Sequence, residues 1–143
     1  VNGFLLDTNI PSELIRIQPE PRVMRWVYGQ EEALLFLSAM SIGELRRGFV
    51  TLAPGRRRTQ LENWLEGTLL QRFQGRILPV DHIVANRWGV LDGQAQLAGK
   101  PMSTADGLIA ATALEHGLTL VTRNMKDFVG RGLTLLNPWD ELP

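Results

Sequence analysis

Short apolar runs alternate with amphipathic stretches along the whole chain. The runs span residues 3–6, 34–37, 76–80, 118–122 and 133–136, and each has the length and edges of a β-strand. Between them lie helical patterns. Asn9-Ile-Pro11 opens the first helix, with Asn9 as N-cap and proline near the first turn, where its missing N–H costs nothing. Val23, Trp26 and Val27 mark a second, short amphipathic helix. Leu61, Trp64, Leu65, Leu69 and Phe73 stand at helical spacing as the apolar face of a longer helix, or, for Leu61, Trp64 and Leu65, as a surface that docks a second copy or another protein. Residues 83–97 continue the helical pattern. Residues 105–116 are apolar nearly all round, which predicts a buried helix, with Gly117 as its stop. Strands alternating with helices predict one α/β domain over residues 1–143 with a mainly parallel sheet.

A chain of 143 residues can bury about 68–70% of its unfolded surface, enough for one core. Lys plus Arg and Asp plus Glu both total 15, evenly split between the two halves, so no global field draws the chain to nucleic acid or membrane. Any polyanion site must be local. Only Lys100 and Lys126 carry ammonium groups, and every other basic residue is Arg, whose planar fork suits phosphate oxygens. The absence of cysteine excludes disulfides, thiolate nucleophiles and Cys-ligated zinc, and agrees with a reducing cytoplasm. No stretch reads as a signal peptide or reaches the roughly 20 apolar residues of a membrane span; a cytoplasmic protein without membrane contact is expected.

Three segments set an acid and small hydroxyl residues next to an apolar run: Phe4-Leu-Leu-Asp7-Thr-Asn9, Ser38-Ala-Met-Ser-Ile-Gly-Glu44 and Ser103-Thr-Ala-Asp106. In open α/β sheets ligands bind outside the carboxyl ends of the strands. Asp7 belongs at such an end, while Glu44 and Asp106 are expected in the first turns of the helices beside it. Each acid alone also reads as a helix cap, because Ser41-Ile-Gly-Glu44 and Ser103-Thr-Ala-Asp106 match a capping box. Together the acids repel one another and call for a cation or for protons. Carboxylates without His or Cys suit Mg²⁺ or Mn²⁺, and the reaction such ions favour is phosphodiester hydrolysis by water.

Leu5-Leu-Asp7-Thr-Asn9, Leu37-Ser-Ala-Met-Ser-Ile-Gly-Glu44-Leu, Ser103-Thr-Ala-Asp106-Gly-Leu-Ile-Ala-Ala-Thr-Ala and Leu120-Val-Thr-Arg-Asn124-Met-Lys-Asp127-Phe occur in this order. Over nearly the whole chain this resembles the PIN-domain ribonucleases, above all the VapC toxins of bacterial type II toxin–antitoxin pairs. Asn137-Pro138-Trp139 is similar to the FitB-like branch. The resemblance implies a parallel five-stranded sheet flanked by helices, a Mg²⁺- or Mn²⁺-dependent endoribonuclease acting on transfer or ribosomal RNA, and a homodimer. It also implies a cognate antitoxin whose tail enters the acidic site and whose DNA-binding part carries the complex to operator DNA. By motif, Asp7, Glu44 and Asp106 match the metal-binding acids and Thr8 the hydroxyl beside the first. Asn124 stands where many relatives have a fourth acid; Asp127, one turn on, either substitutes for it as a catalytic residue or caps the short helix there.

Arg46, Arg47 and Arg56 to Arg58 form a basic stretch that reads as RNA contact, as a solvated face or as an antitoxin contact, while Arg123 stands nearer the acids and suits a phosphate. His82 and His116 read as helix-end residues, and Trp26, Trp64 and Trp88 as core. Two competing functions share these features. A catalytically silent PIN-like binding module accounts for Asn124. A signalling receiver domain would use Asp81 as phosphoacceptor, but it lacks the paired acids after the first strand and the lysine after the fifth.

Overall fold

Phe4-Leu-Leu6 pairs on both sides, which makes it the middle of the sheet. In the computed structural model, which describes residues 2–140, the strands are β1 (Phe4–Leu6), β2 (Leu35–Ser38), β3 (Ile77–Leu78), β4 (Thr119–Val121) and β5 (Leu135–Leu136). They pair in the order β3-β2-β1-β4-β5, and every pairing is parallel. In register, Leu5 faces Phe36 and Leu120, and Leu6 faces Leu37 and Val121. Two of the expected strands shrink to two residues each. Pro79 has no N–H for the ladder and ends β3 early, and only two residues of the run 133–136 pair with β4.

The period of two sends alternate residues to opposite faces. Leu6, Leu35, Leu37 and Val121 join one core, whereas Leu5 and Leu120 join the other. The first core is covered by α1 (Asn9–Leu14), α2 (Pro21–Tyr28), α3 (Ala39–Val50) and α4 (Arg56–Trp64), the last running through a π-turn (Leu65–Leu69) into α5 (Leu70–Arg72). The second is covered by α6 (His82–Leu97), α7 (Thr104–His116) and α8 (Met125–Phe128). Helix α7 is buried as expected, with Ile109, Ala110, Ala111 and Ala113 wholly enclosed. Gly117 closes it at φ 63°, the left-handed conformation that glycine adopts without strain.

Three local expectations change. Thr8, not Asn9, precedes α1, and no side chain caps it; the Asn9 amide is turned to partners across the sheet edge. Strand β2 passes straight into α3 with Ser38 as N-cap, accepting from the Met40 N–H. Glu44 therefore lies in the second turn, and Ser41-Ile-Gly-Glu44 is no capping box. The apolar stripe is not a free docking face: Trp64 packs half-buried against the core, and the row Leu61, Leu65, Leu69 and Phe73 lies within it. The row's strict four-residue spacing outruns an α-helix by roughly 40° per step, and the π-turn takes up the excess. Among the described residues no helix is long and apolar enough to cross a membrane.

Candidate active site

The chain leaves β1 for β2 and β3 on one side, then returns to place β4 and β5 on the other. The order reverses between β1 and β4, the crevice where open α/β sheets hold ligands. Asp7 is the first residue past β1, and its N–H donates to the Val121 carbonyl at 2.9 Å, extending the ladder by one bond. Its side chain is only 4% exposed. One carboxylate oxygen accepts the Thr122 hydroxyl at 2.7 Å, and the other the Thr8 N–H at 2.8 Å. Asn9 Nδ2 lies 3.5 Å from the Asp7 carboxylate and 3.4 Å from Thr122 Oγ1. Thr122 Oγ1 also accepts the Asn124 N–H at 3.0 Å.

Burial raises the Asp7 carboxyl from its ordinary 3.8 to about 6. The bonds from Thr122 and Thr8 work against this, and the charges of Asp106 and Glu44 add to it. Thr8 links the first acid to the second, since its hydroxyl lies 2.6 Å from Glu44 Oε1 and 2.8 Å from the buried Ser41 Oγ. Ser103 caps α7 by accepting the Asp106 N–H at 3.1 Å, which fixes Asp106 in the first turn. Its carboxyl is also raised, by burial first and then by the charges of Glu44 and Asp127.

Asp7, Glu44 and Asp106 are thus within electrostatic reach of one another. Among the described residues, though, no three acids or histidines stand close enough to enclose an ion by themselves. An all-oxygen set of this spread suits a cation that keeps several waters and takes one or two carboxylates. The Asn9 side-chain carbonyl oxygen, buried without a hydrogen-bond partner, is a further hard oxygen beside Asp7. On these grounds the residues fit a Mg²⁺-like ion.

Asp127 lies inside α8, exposed, and caps nothing; Asn124 occupies the N-cap position with no side-chain bond. Arg46 pairs with Glu62 at 3.1 Å and with Glu66. Arg47 is exposed, 3.8 Å from Glu44. Arg57 donates to the Ile15 carbonyl at 3.0 Å and Arg58 pairs with Glu62 at 3.2 Å, so much of the basic stretch is engaged within the chain. Arg123 stacks on Trp139, 5.2 Å from the ring centre. Asp81, the would-be phosphoacceptor, accepts the Val84 N–H at 2.9 Å as N-cap of α6. Sequence reasoning missed Asn9, Ser41 and Thr122 as members of the site. The available signal was position: each is a small polar residue at the carboxyl end of an expected strand or within four residues of it.

Residues 4–128 match the PIN domain family. VapC ribonuclease Y4jK of Sinorhizobium fredii is 41% identical, the match covering 96% of this chain and 98% of that protein. Toxin FitB of Neisseria gonorrhoeae is 40% identical over 96% of this chain and 99% of its own. Among solved structures, a FitAB complex bound to an IR36 DNA fragment contains a chain that superposes with a TM-score of 0.91 at 37% identity, covering 98% of each. With its parallel sheet and its acids at the reversal of strand order, the chain belongs to the PIN-domain family, among the VapC and FitB toxins of toxin–antitoxin pairs.

Proposed function

We propose that the chain is a divalent-metal-dependent endoribonuclease that hydrolyses RNA phosphodiesters with water as nucleophile. The observation that carries this reading is Asp7: a buried carboxyl, raised to about 6 by desolvation and by Asp106 and Glu44, at the reversal of strand order. A fold keeps such a group where its charge is to be met by a cation. Asp7, Glu44 and Asp106 would hold Mg²⁺ or Mn²⁺, directly or through the ion's waters. When bound, the ion supplies a lowered pKa for the attacking water and neutralises charge gathering on the phosphoryl group. The chain's own residues do the positioning. Thr122 and the Thr8 N–H fix both Asp7 oxygens, and the Thr8 hydroxyl holds Glu44 in one rotamer. Asp127, and Asn124 as an uncharged oxygen donor, stand at the edge of the acids for an ion or water arriving with RNA. Arg47 and Arg123 are exposed cations for phosphate, while Arg46 reaches RNA only by leaving its ion pairs.

Names of the relatives support the RNA substrate, since one is a VapC ribonuclease and another, at 25% identity, a tRNA(fMet)-specific endonuclease. Transfer or ribosomal RNA is the substrate class we assign. The FitAB complex on DNA supports a cognate antitoxin and assembly with it on operator DNA. We further assign a homodimer and a cytoplasmic location.

The test is mapping of RNA termini in cells after brief induction, followed by cleavage of the mapped RNA in vitro. Asp7→Asn, Glu44→Gln and Asp106→Asn each lower cleavage by about 100-fold or more, the loss typical of a removed electrostatic contributor. Chelation abolishes cleavage, and Mg²⁺ or Mn²⁺ restores it. Undiminished cleavage under thorough chelation, or by the Asp7→Asn chain, overturns the reading.

A further inference from the structure

With charges balanced at 15 and 15, the chain can attract a polyanion only through local cations. Two clefts at the carboxyl edge of the sheet collect them. One, of about 450 Å³, is lined by Lys100, Lys126 and Arg131 together with Asp106 and Asp127. These are the chain's only two lysines, and neither has an ion pair among the described residues. Arg131 braces the cleft by donating to the Asp127 carbonyl at 2.9 Å and the Lys100 carbonyl at 3.0 Å. The other cleft, of about 460 Å³, is lined by Arg16, Glu20, Arg22, Arg123 and Trp139, with other residues of the 16–22 connection. Arg16 is paired with Glu13, and Arg22 with Glu20. Arg123 has no carboxylate partner among the described residues and its Cζ lies over the Trp139 ring, 5.2 Å from the centre; the Asn137 side chain accepts the Trp139 backbone N–H at 2.9 Å. A cation–π contact steadies a guanidinium and leaves N–H donors available for phosphate. Both volumes fall within the roughly 300–1,000 Å³ of small-ligand sites.

Their placement joins them. Trp139 belongs to the core on the α1–α2 face, whereas Met102, in the wall of the lysine cleft, packs against the core on the α6–α7 face. Residues 122–127 run between the two. This segment gives the Thr122 hydroxyl to Asp7, Arg123 to one cleft, and Lys126 with Asp127 to the other.

We propose that these two clefts are nucleotide subsites on opposite sides of the cleaved linkage, so that a single RNA strand crosses the sheet edge over Asp7, from one face to the other. The proposal rests on the RNA-cleavage reading above and adds the path of the strand. Each cleft contributes phosphate contacts, Lys100 and Lys126 in one and Arg123 in the other.

The test uses a fluorescent single-stranded oligoribonucleotide centred on the mapped cleavage site, bound to the Asp7→Asn chain at a series of salt concentrations. Single-stranded binding loses about 0.7 of logarithmic salt slope per phosphate contact removed. The paired change Lys100→Gln and Lys126→Gln therefore lowers the slope by about 1.4, and Arg123→Gln by about 0.7. The charge-keeping Lys100→Arg and Lys126→Arg chain retains the slope. Trimming the oligonucleotide on one side of the cleavage site abolishes the effect of the lysine changes only. Trimming the other side abolishes that of Arg123→Gln only. Unchanged slopes, or both effects lost on trimming the same side, overturn the proposal while leaving the ribonuclease reading intact. Unchanged RNA slopes with weakened binding of the antitoxin give the clefts to the protein partner instead. If the unaltered chain cleaves no RNA, the functional reading itself falls and takes the subsites with it.

Discussion

Asp7 is held by donors on both oxygens and is still harder to ionise than a free carboxylic acid, because its loss of water outweighs the hydrogen bonds it gains. The sign of the consequence follows from linkage. A carboxyl at about 6 in the folded chain, against an ordinary value of 3.8, binds more protons folded than unfolded between these limits. Its contribution to stability is complete below about pH 4 and is lost as pH rises through 6, by about 3 kcal/mol in all. Urea midpoints of the chelated chain, compared with those of Asp7→Asn, should therefore diverge from pH 4 to pH 7, the unaltered chain becoming relatively less stable. Parallel profiles would show that Asp7 is no more buried in solution than an ordinary surface acid. At this scale the gathering of Asp7, Glu44 and Asp106 was legible from their combination, since each alone also reads as a helix cap but three acids beside apolar runs converge on one sheet edge. Asn9 was not. Cap preferences describe the adjoining backbone, whereas its amide is directed at Thr122, 113 residues away.

Helices α6 and α7 pack against each other over the second core, and two glycines there make opposite predictions. A Cβ on Gly107 would stand 2.7 Å from Trp88 Nε1 and 2.8 Å from Trp88 Cδ1, closer than real contacts allow. Trp88 Nε1 is itself buried without a hydrogen-bond partner, so the ring is held there by shape. At Gly93, within α6, a Cβ would meet nothing within 4 Å. Gly93→Ala should therefore stabilise by about 1 kcal/mol, the helix-propensity difference. Gly107→Ala gains the same propensity but suffers overpacking of about 1–3 kcal/mol, and its thermal midpoint should fall. Equal shifts in the two variants would mean that the helix contact is looser than described. The helices themselves were readable from periodicity, α7 most clearly. Boundaries were less so, because β2 and α3 adjoin without a loop, and residue types alone do not reveal that Ser38 takes the cap in place of Ser41. Nor does spacing distinguish a stripe that docks a partner from one that a π-turn folds into the chain's own core.

The whole molecule brings together carboxylates from three separate stretches of sequence, and the repulsion among them is a cost borne by the fold as a unit. A divalent ion that binds only the folded chain relieves it, and linkage turns this into a property of global unfolding. At an ion concentration about 100 times its dissociation constant the gain is about 2.7 kcal/mol, which for a domain of this size raises the thermal midpoint by roughly 5–10 °C. Calorimetric scans in rising Mg²⁺ or Mn²⁺ at pH 7.5 (about neutral, where Asp7 is mostly ionised) should show this increase. The rise should shrink at about pH 5, where protons compete for Asp7, and largely vanish in Asp7→Asn. This readout is independent of any RNA, so it separates an acidic cluster that binds metal from one that merely tolerates its own charge. A midpoint insensitive to both ions in the unaltered chain, or an equal rise in Asp7→Asn, would locate the metal elsewhere or exclude it from the native state.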